Sequence, residues 1–177
     1  HRPDVFHQPL AFSALWVRGT PTARVLEGPV PTWKLFGPAG TANGGRDVNY
    51  GLPRFRKAEF RARFPFATVT LADADLPVAA AVTGWSPFIP GNSDDSSLPG
   101  AVLEITLRNL SPEQPQDGVY SFHAKNFMGT GKDSQAFVRP TEGGFDLVQP
   151  PLPEAPWQQG VFRAVVSGRE AHSDCAW

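Results

Sequence analysis

The chain has 177 residues and a formal net charge of −1, from 16 Lys and Arg and 17 Asp and Glu. This length suits one domain, and the charge balance lacks the basic excess by which proteins bind nucleic acid or anionic membrane surfaces. The 17 Gly and 19 Pro occur beside 13 Phe, and turn residues combined with plentiful aromatic residues are typical of a well-packed all-β domain. Cys175 is the only cysteine, so no internal disulfide can form and a reducing, cytoplasmic compartment is favoured.

Alternation of apolar and polar side chains predicts strands along most of the chain, whereas no segment sustains a helical period. The clearest alternation lies at 57–64, where Ala58 and Phe60 alternate with charged neighbours and one side is expected to meet water. The other alternating segments are 103–108, 120–125 and 161–167. The continuously apolar segments 11–17, 66–71 and 78–85 predict central strands that are covered on both faces.

Turn-rich segments at 28–53, 87–99, 111–118 and 149–160 separate these strands. The first and last are long enough to be functional loops or to cross the surface of another domain. The sequence therefore predicts an all-β fold, an antiparallel β-sandwich of the supersandwich type, as a single domain over residues 1–177. Because the chain opens at His1 without Met and stops after Trp177 without a polar tail, the sandwich is expected to be incomplete at both ends.

Asp94 and Asp95 lie in an acidic loop at 91–97, and glycosidases use two carboxylates. However, the pair of a retaining enzyme faces the sugar from opposite sides at about 5–5.5 Å, and the pair of an inverting enzyme at about 6.5–9.5 Å. Neighbours on one loop do not fit either arrangement. Local turn chemistry is the ordinary interpretation; contact with a ligand or a neighbouring domain is the functional alternative, and a calcium site is a third that lacks EF-hand spacing.

Tryptophans provide the second set of candidates, because an aromatic face can stack against a sugar ring. Of the five in the chain, Trp33 and Trp157 lie in Pro-rich loops and are the best candidates for exposure, whereas core burial or domain contact is expected for the others.

Other chemistries find little support in the sequence. The segment 129–132 resembles a phosphate loop, but Asn126 and Asp133 replace the residues that a Walker motif requires. The four histidines have no metal-ligand spacing, and no nucleophile elbow is present. No metal and no cofactor are therefore expected.

Several motifs resemble glycoside hydrolase family 116, which includes the non-lysosomal glucosylceramidases, also called bile-acid β-glucosidases. The motifs are FPFATV at 64–69, GWSPFIP at 84–90, DSSLP at 95–99 followed by AVLE at 101–104, RVLEGP at 24–29 and GLPRF at 51–55. The strand that follows, with 121–122 and 126–128, fits the same family. The resemblance covers most of the chain and is weakest at 32–49 and after 130.

The resemblance implies a two-part enzyme, in which an N-terminal β-sandwich leads into an (α/α)6 barrel holding the glutamate nucleophile and the aspartate acid/base of a retaining mechanism. Only the first part matches here, so no catalytic residue can be carried over. The predicted function is that of a non-catalytic domain whose partners are the (α/α)6 catalytic domain of the same polypeptide and the glucoside substrate of the parent enzyme. The alternatives are a free-standing carbohydrate-binding module, a structural sandwich without sugar contact and a self-sufficient enzyme.

Overall fold

A computed structural model describes residues 11–30, 52–129 and 134–175. Strands dominate these residues and the sheets are antiparallel, which confirms the predicted all-β fold class. The chain divides into two compact units, His1–His123 and Ala124–Trp177. The prediction of a single domain over residues 1–177 stays a prediction.

The first unit is built from two sheets. Its strands are β1 (Ala11–Val17), β2 (Arg24–Val25), β3 (Lys57–Arg63), β4 (Phe66–Ala72), β5 (Val78–Trp85), β6 (Val102–Asn109) and β7 (Gly118–Ala124). A three-stranded sheet has the order β2-β1-β7, and a four-stranded sheet has the order β3-β4-β5-β6. All three ladders of the four-stranded sheet are antiparallel. The alternating segments 57–64 and 103–108 form its two edge strands, and the apolar segments 66–71 and 78–85 form the two strands between them.

One hydrophobic core joins these two sheets. Leu15 of β1 lies in the same buried cluster as Leu71 of β4 and Ala80 of β5. Phe55, in the segment before β3, is fully buried in that cluster. Because side chains from both sheets share one core, the first unit has the face-to-face packing of a β-sandwich.

A buried ion pair also connects the sheets. Nε of Arg24, in β2, donates a hydrogen bond of 3.1 Å to the Asp73 carboxylate, which follows β4. Burial alone would raise the pKa of Asp73, but the backbone N–H of Asp75 and the Arg24 guanidinium outweigh this and hold that pKa below its usual value. Asp73 is therefore a structural carboxylate, held in its charged form inside the unit.

The predicted burial of several strands is wrong. In β1 only Leu15 and Val17 are buried while Trp16 between them is exposed, because the second face of this sheet lacks a covering layer among the described residues. Every residue of β3 is exposed, including Phe60 at 66%. The predicted alternation of β3 is therefore correct, but its apolar side chains are not part of the core.

The second unit contains a hairpin that the alternation rule missed. Its strands are β8 (Phe137–Thr141), β9 (Gly144–Gln149) and β10 (Gly160–Val165), in the order β10-β9-β8, and a short 3₁₀ helix covers Pro156–Gln158. Gly143, at φ 69°, forms the turn between β8 and β9. Pro140 on an edge strand and Asp146 in the central strand interrupt the expected pattern.

Replacing Leu71 by Ala should destabilise the protein by about 2–5 kcal/mol, because this fully buried side chain fills the space between the sheets. Thr70→Ala is the matched control, because Thr70 is the neighbour of Leu71 and its side chain is exposed on the other face of β4. A loss of about 1 kcal/mol or less in the free energy of unfolding is expected. Urea unfolding followed by tryptophan fluorescence measures both. Equal losses for the two variants would contradict the assigned core.

Candidate functional site

The acidic loop forms one turn of helix, α1, over Ser93–Ser96. The Asn92 side chain caps it by accepting a hydrogen bond of 3.1 Å from the backbone N–H of Asp95 and donating one of 2.6 Å to the Asp95 carboxylate. The Ser97 hydroxyl donates to the Ser93 carbonyl at 2.6 Å. These bonds agree with the turn-chemistry interpretation, with Asn92 rather than an aspartate as the cap.

Asp94 and Asp95 are neighbours in this turn and both are exposed. The turn is tied to the preceding segment, because the Ser96 hydroxyl lies 3.0 Å from the backbone nitrogen of Ile89, which donates to it. The two carboxylates are thus presented to solvent on a fixed turn. This geometry suits surface contacts.

A group of apolar side chains, all exposed except the partly buried Trp85, lies beside this loop, and we call it the aromatic end of the four-stranded sheet. It consists of Phe64, Phe66, Trp85, Phe88 and Ile89. The rings of Phe64 and Phe88 meet edge to face with centroids 5.0 Å apart, and those of Phe66 and Trp85 lie 6.2 Å apart. Phe64 is nevertheless 77% exposed, so the cluster is organised but uncovered.

The structure describes one of the two loop tryptophans singled out from the sequence. Trp157 lies in the 3₁₀ helix and is 77% exposed, as expected for a residue able to stack against a ligand. Trp33 lies outside the described residues. The acidic loop belongs to the first unit and Trp157 to the second, and each is a candidate contact by itself.

A charged cluster centred on Asp146 was not predicted from the sequence. The register of the second sheet places Arg139 and Arg163 directly opposite this residue on the two flanking strands. Arg163 donates two hydrogen bonds to the Asp146 carboxylate at 2.6 and 2.9 Å, and Arg139 donates one at 2.6 Å. Asp146 itself is fully buried. Because β8 and β9 were not recognised as strands, the sequence offered no signal for this juxtaposition.

The hydrogen bonds in this cluster shift the pKa values of Asp146 and Arg163. Hydrogen bonds from Arg163 and then from Arg139 hold the pKa of Asp146 well below its usual range despite burial. The same bonds raise the pKa of Arg163. A carboxylate held in this way stays charged and has no proton to donate near neutral pH, so Asp146 has a structural role.

Metal-ligand clusters and membrane-spanning helices are absent from the described ranges. In residues 11–30, 52–129 and 134–175, no group of three or more His, Cys, Asp or Glu side chains could hold a metal ion. Within the same ranges, none of the helices has the length and apolar character needed to cross a membrane.

The fold and the exposed loop define an antiparallel all-β domain of the sandwich class. Residues 6–149 match the family described as beta-glucosidase 2, glycosyl-hydrolase family 116 N-term. The match covers most of the 177 residues, and the chain belongs to this family, the N-terminal domain of glycoside hydrolase family 116. The resemblance inferred from the motifs is therefore confirmed. A comparison with curated proteins gave no match.

Asp146→Asn should lower the thermal unfolding midpoint at neutral pH, because it removes the charge that the two arginines bind. The folded-state pKa of Asp146 lies below the unfolded value of about 3.9. Its contribution is thus fully present above about pH 5 and lost as the pH falls through the unfolded value towards the folded one.

The difference in midpoint between the two proteins should therefore shrink as the pH is lowered from about 5 to about 3. Thermal unfolding monitored by circular dichroism across this range measures it. Asp94→Asn, at an exposed position, serves as the control and should leave the midpoint unchanged. A deficit of Asp146→Asn that stays constant with pH would rule out the charge as its cause.

Proposed function

We propose that this chain is the non-catalytic N-terminal β-sandwich domain of a retaining glycoside hydrolase of the β-glucosidase or glucosylceramidase type, and that it packs on an (α/α)6 catalytic domain. The observation that carries the proposal is the family match over residues 6–149, since that family is by description the N-terminal part of a glycosyl hydrolase. In this role the domain supports the catalytic domain and helps to frame its substrate entrance.

Four aspartates of the described residues, the exposed pair in the acidic loop and the two buried in ion pairs, support a non-catalytic role. A retaining mechanism needs two carboxyl groups about 5–5.5 Å apart on opposite sides of the glycosidic bond, whereas Asp94 and Asp95 follow one another on a single turn. Asp73 and Asp146 are buried and paired with arginines. Such carboxylates are held in the charged form and have no path to a sugar, so they are poor acids or nucleophiles.

Asp94, Asp95, Trp33 and Trp157 are the proposed contact residues. The two aspartates lie on a rigid exposed turn beside the aromatic end, where a neighbouring domain or a bound glucoside could meet them. The exposed ring of Trp157 is a surface on which a sugar could stack. That exposure also favours the second candidate function, a free-standing carbohydrate-binding module.

The first test compares hydrolysis of an aryl β-glucoside by this 177-residue chain and by the full-length parent protein. We expect turnover by the parent protein alone, because the nucleophile and the acid/base belong to the catalytic domain. Released phenol is measured by absorbance. Turnover by the short chain that is abolished by Asp94→Asn or Asp95→Asn would show that the domain is itself an enzyme.

The second test separates a supporting domain from a sugar-binding module. Titration of the chain with glucosides and β-glucans should leave tryptophan fluorescence flat, because a supporting domain has no sugar site of its own. A saturable change that is lost in Trp157→Ala and kept in Trp16→Phe would favour the binding module instead. Trp16 is the control because it lies on β1, away from the 3₁₀ helix in the sequence.

A further inference from the structure

Strand β10 lies at an edge of the second sheet, because the strand order is β10-β9-β8. Its ladder with β9 pairs Val161 with Val148 and Arg163 with Asp146. In the part of the chain that the structure describes, no further strand pairs with the other side of β10. The strand therefore has one hydrogen-bonded side and one side on which another strand could be added.

The backbone groups of alternate residues on β10 point away from β9. The N–H of Val166, just after the strand, donates a hydrogen bond of 2.9 Å to the carbonyl of Gly143. This bond continues the register of the ladder, and bonded pairs alternate with non-bonded pairs along two antiparallel strands. The N–H and C=O groups of Val161, Arg163 and Val165 therefore point towards the unpaired side.

The edge of β10 lacks the features that prevent strand pairing at other edges of this protein. Proteins protect edge strands with prolines and with charged side chains. Strand β8, at the opposite edge of the same sheet, contains Pro140, and β3 of the first unit is charged at alternate positions from Lys57 to Arg63. Strand β10 has no proline, and its single charged residue, Arg163, is bound by Asp146. Its edge is therefore suited to pairing.

The register also defines the side chains that an added strand would meet. Three rows of directly paired residues cross the sheet and end at Val161, Arg163 and Val165. The rows are Phe137, Val148 and Val161; Arg139, Asp146 and Arg163; and Thr141, Gly144 and Val165. Val161 is 56% and Val165 is 60% exposed. An added strand would extend each row by one residue.

The middle row alternates in charge, with one aspartate between two arginines, and so carries a net positive charge. An arginine has five N–H donors, and the bonds to Asp146 use two donors of Arg163 and one of Arg139. The Arg163 side chain is 58% exposed and can donate to a further acceptor. An acidic side chain directly opposite Arg163 would continue the alternation and stabilise the pairing.

We propose that the free edge of β10 binds an extended segment of a partner protein, which adds a fourth strand to the second sheet. The segment has an acidic residue at its centre and an apolar, β-branched residue two positions to each side. Hydrogen bonds to the outward N–H and C=O groups provide affinity, and alternate side chains provide specificity. The acidic residue contacts Arg163, and the apolar residues pack against Val161 and Val165.

Charge favours such a segment over a second copy of the chain. Two antiparallel β10 strands in their longest register would place two Arg163 side chains directly opposite each other, which is destabilising. Edge strand β6 does not supply the acidic residue either. The N–H of Leu110 donates to the Pro77 carbonyl and continues the β5–β6 register, so the alternate residues of β6 point outward. They are Leu103, Ile105 and Leu107.

Titration of the isotope-labelled 177-residue chain with short peptides tests the proposal, with amide hydrogen exchange followed by NMR. The probe is a capped peptide with a central glutamate and a valine two positions to each side. The amides of Val161, Arg163 and Val165 should exchange rapidly in the free chain, and the probe should slow their exchange at least about tenfold. A peptide with lysine in place of the glutamate should bind about fivefold more weakly, and a backbone N-methylated peptide should not bind.

Val165→Pro and Val165→Thr are the matched variants of the chain. Proline removes an N–H that points outward and keeps the bonds to β9, whereas threonine keeps the N–H as well. The proline variant should bind the probe at least about tenfold more weakly than the threonine variant. If the proline variant does not fold, the N-methylated peptide makes the same comparison with the unchanged chain.

Four results would overturn the partner segment. Equal affinity for the glutamate and lysine peptides would contradict the role of Arg163, and slow exchange of the three amides in the free dilute chain would show that the edge is already covered. Exchange that slows as the chain concentration rises would assign the edge to a second copy. Protection in the full-length parent protein without peptide would assign it to the parent polypeptide. None of these measurements uses β-glucosidase activity, so their outcome is independent of the function proposed above.

Discussion

The apolar inner face of the four-stranded sheet is the feature on which the rest of the first unit depends. Burial of Leu71 and Ala80 against Leu15 joins the two sheets, and burial of apolar area is the dominant favourable term in folding. Phe60 and Leu103, on the two edge strands of the four-stranded sheet, remain exposed. The same apolar periodicity thus provides the core and also leaves apolar side chains exposed on the edge strands.

Buried carboxylates serve a second, structural purpose in both units. Asp73 in the first unit and Asp146 in the second each receive hydrogen bonds from arginine. Removing a charge from water is costly unless it is paired and hydrogen-bonded, and these partners hold both carboxylates in the ionised form. Two acidic residues that could suggest catalysis in a glycosidase family are therefore committed to the fold.

The proposed non-catalytic role agrees with this use of acidic side chains. The chain belongs to the N-terminal domain of glycoside hydrolase family 116. Asp73 and Asp146 are buried in ion pairs, and Asp94 and Asp95 are exposed on one turn. Asn92 caps the acidic loop, and Ser96 ties it to Ile89, so the loop adds fixed charge beside an apolar region.

Local alternation was enough to place the strands at 57–64, 103–108 and 120–125, because the side-chain period of a strand is two whatever surrounds it. Alternation did not predict the hairpin around Gly143, because Pro140 and Asp146 interrupt its apolar pattern. Asp146 is accommodated because the two flanking strands place arginines directly opposite it. The family motifs could also be recognised from the sequence, because they are runs of consecutive residues.

The burial of individual side chains could not be predicted from alternation. Phe60 and Leu71 have the same apolar character and lie on the same face of one sheet, yet Leu71 is buried and Phe60 is exposed. What separates them is the reach of a second sheet formed by residues far away in the chain. The amino-acid pattern thus specifies which faces can be buried, and only the tertiary packing decides which of them are covered, because burial requires a partner surface.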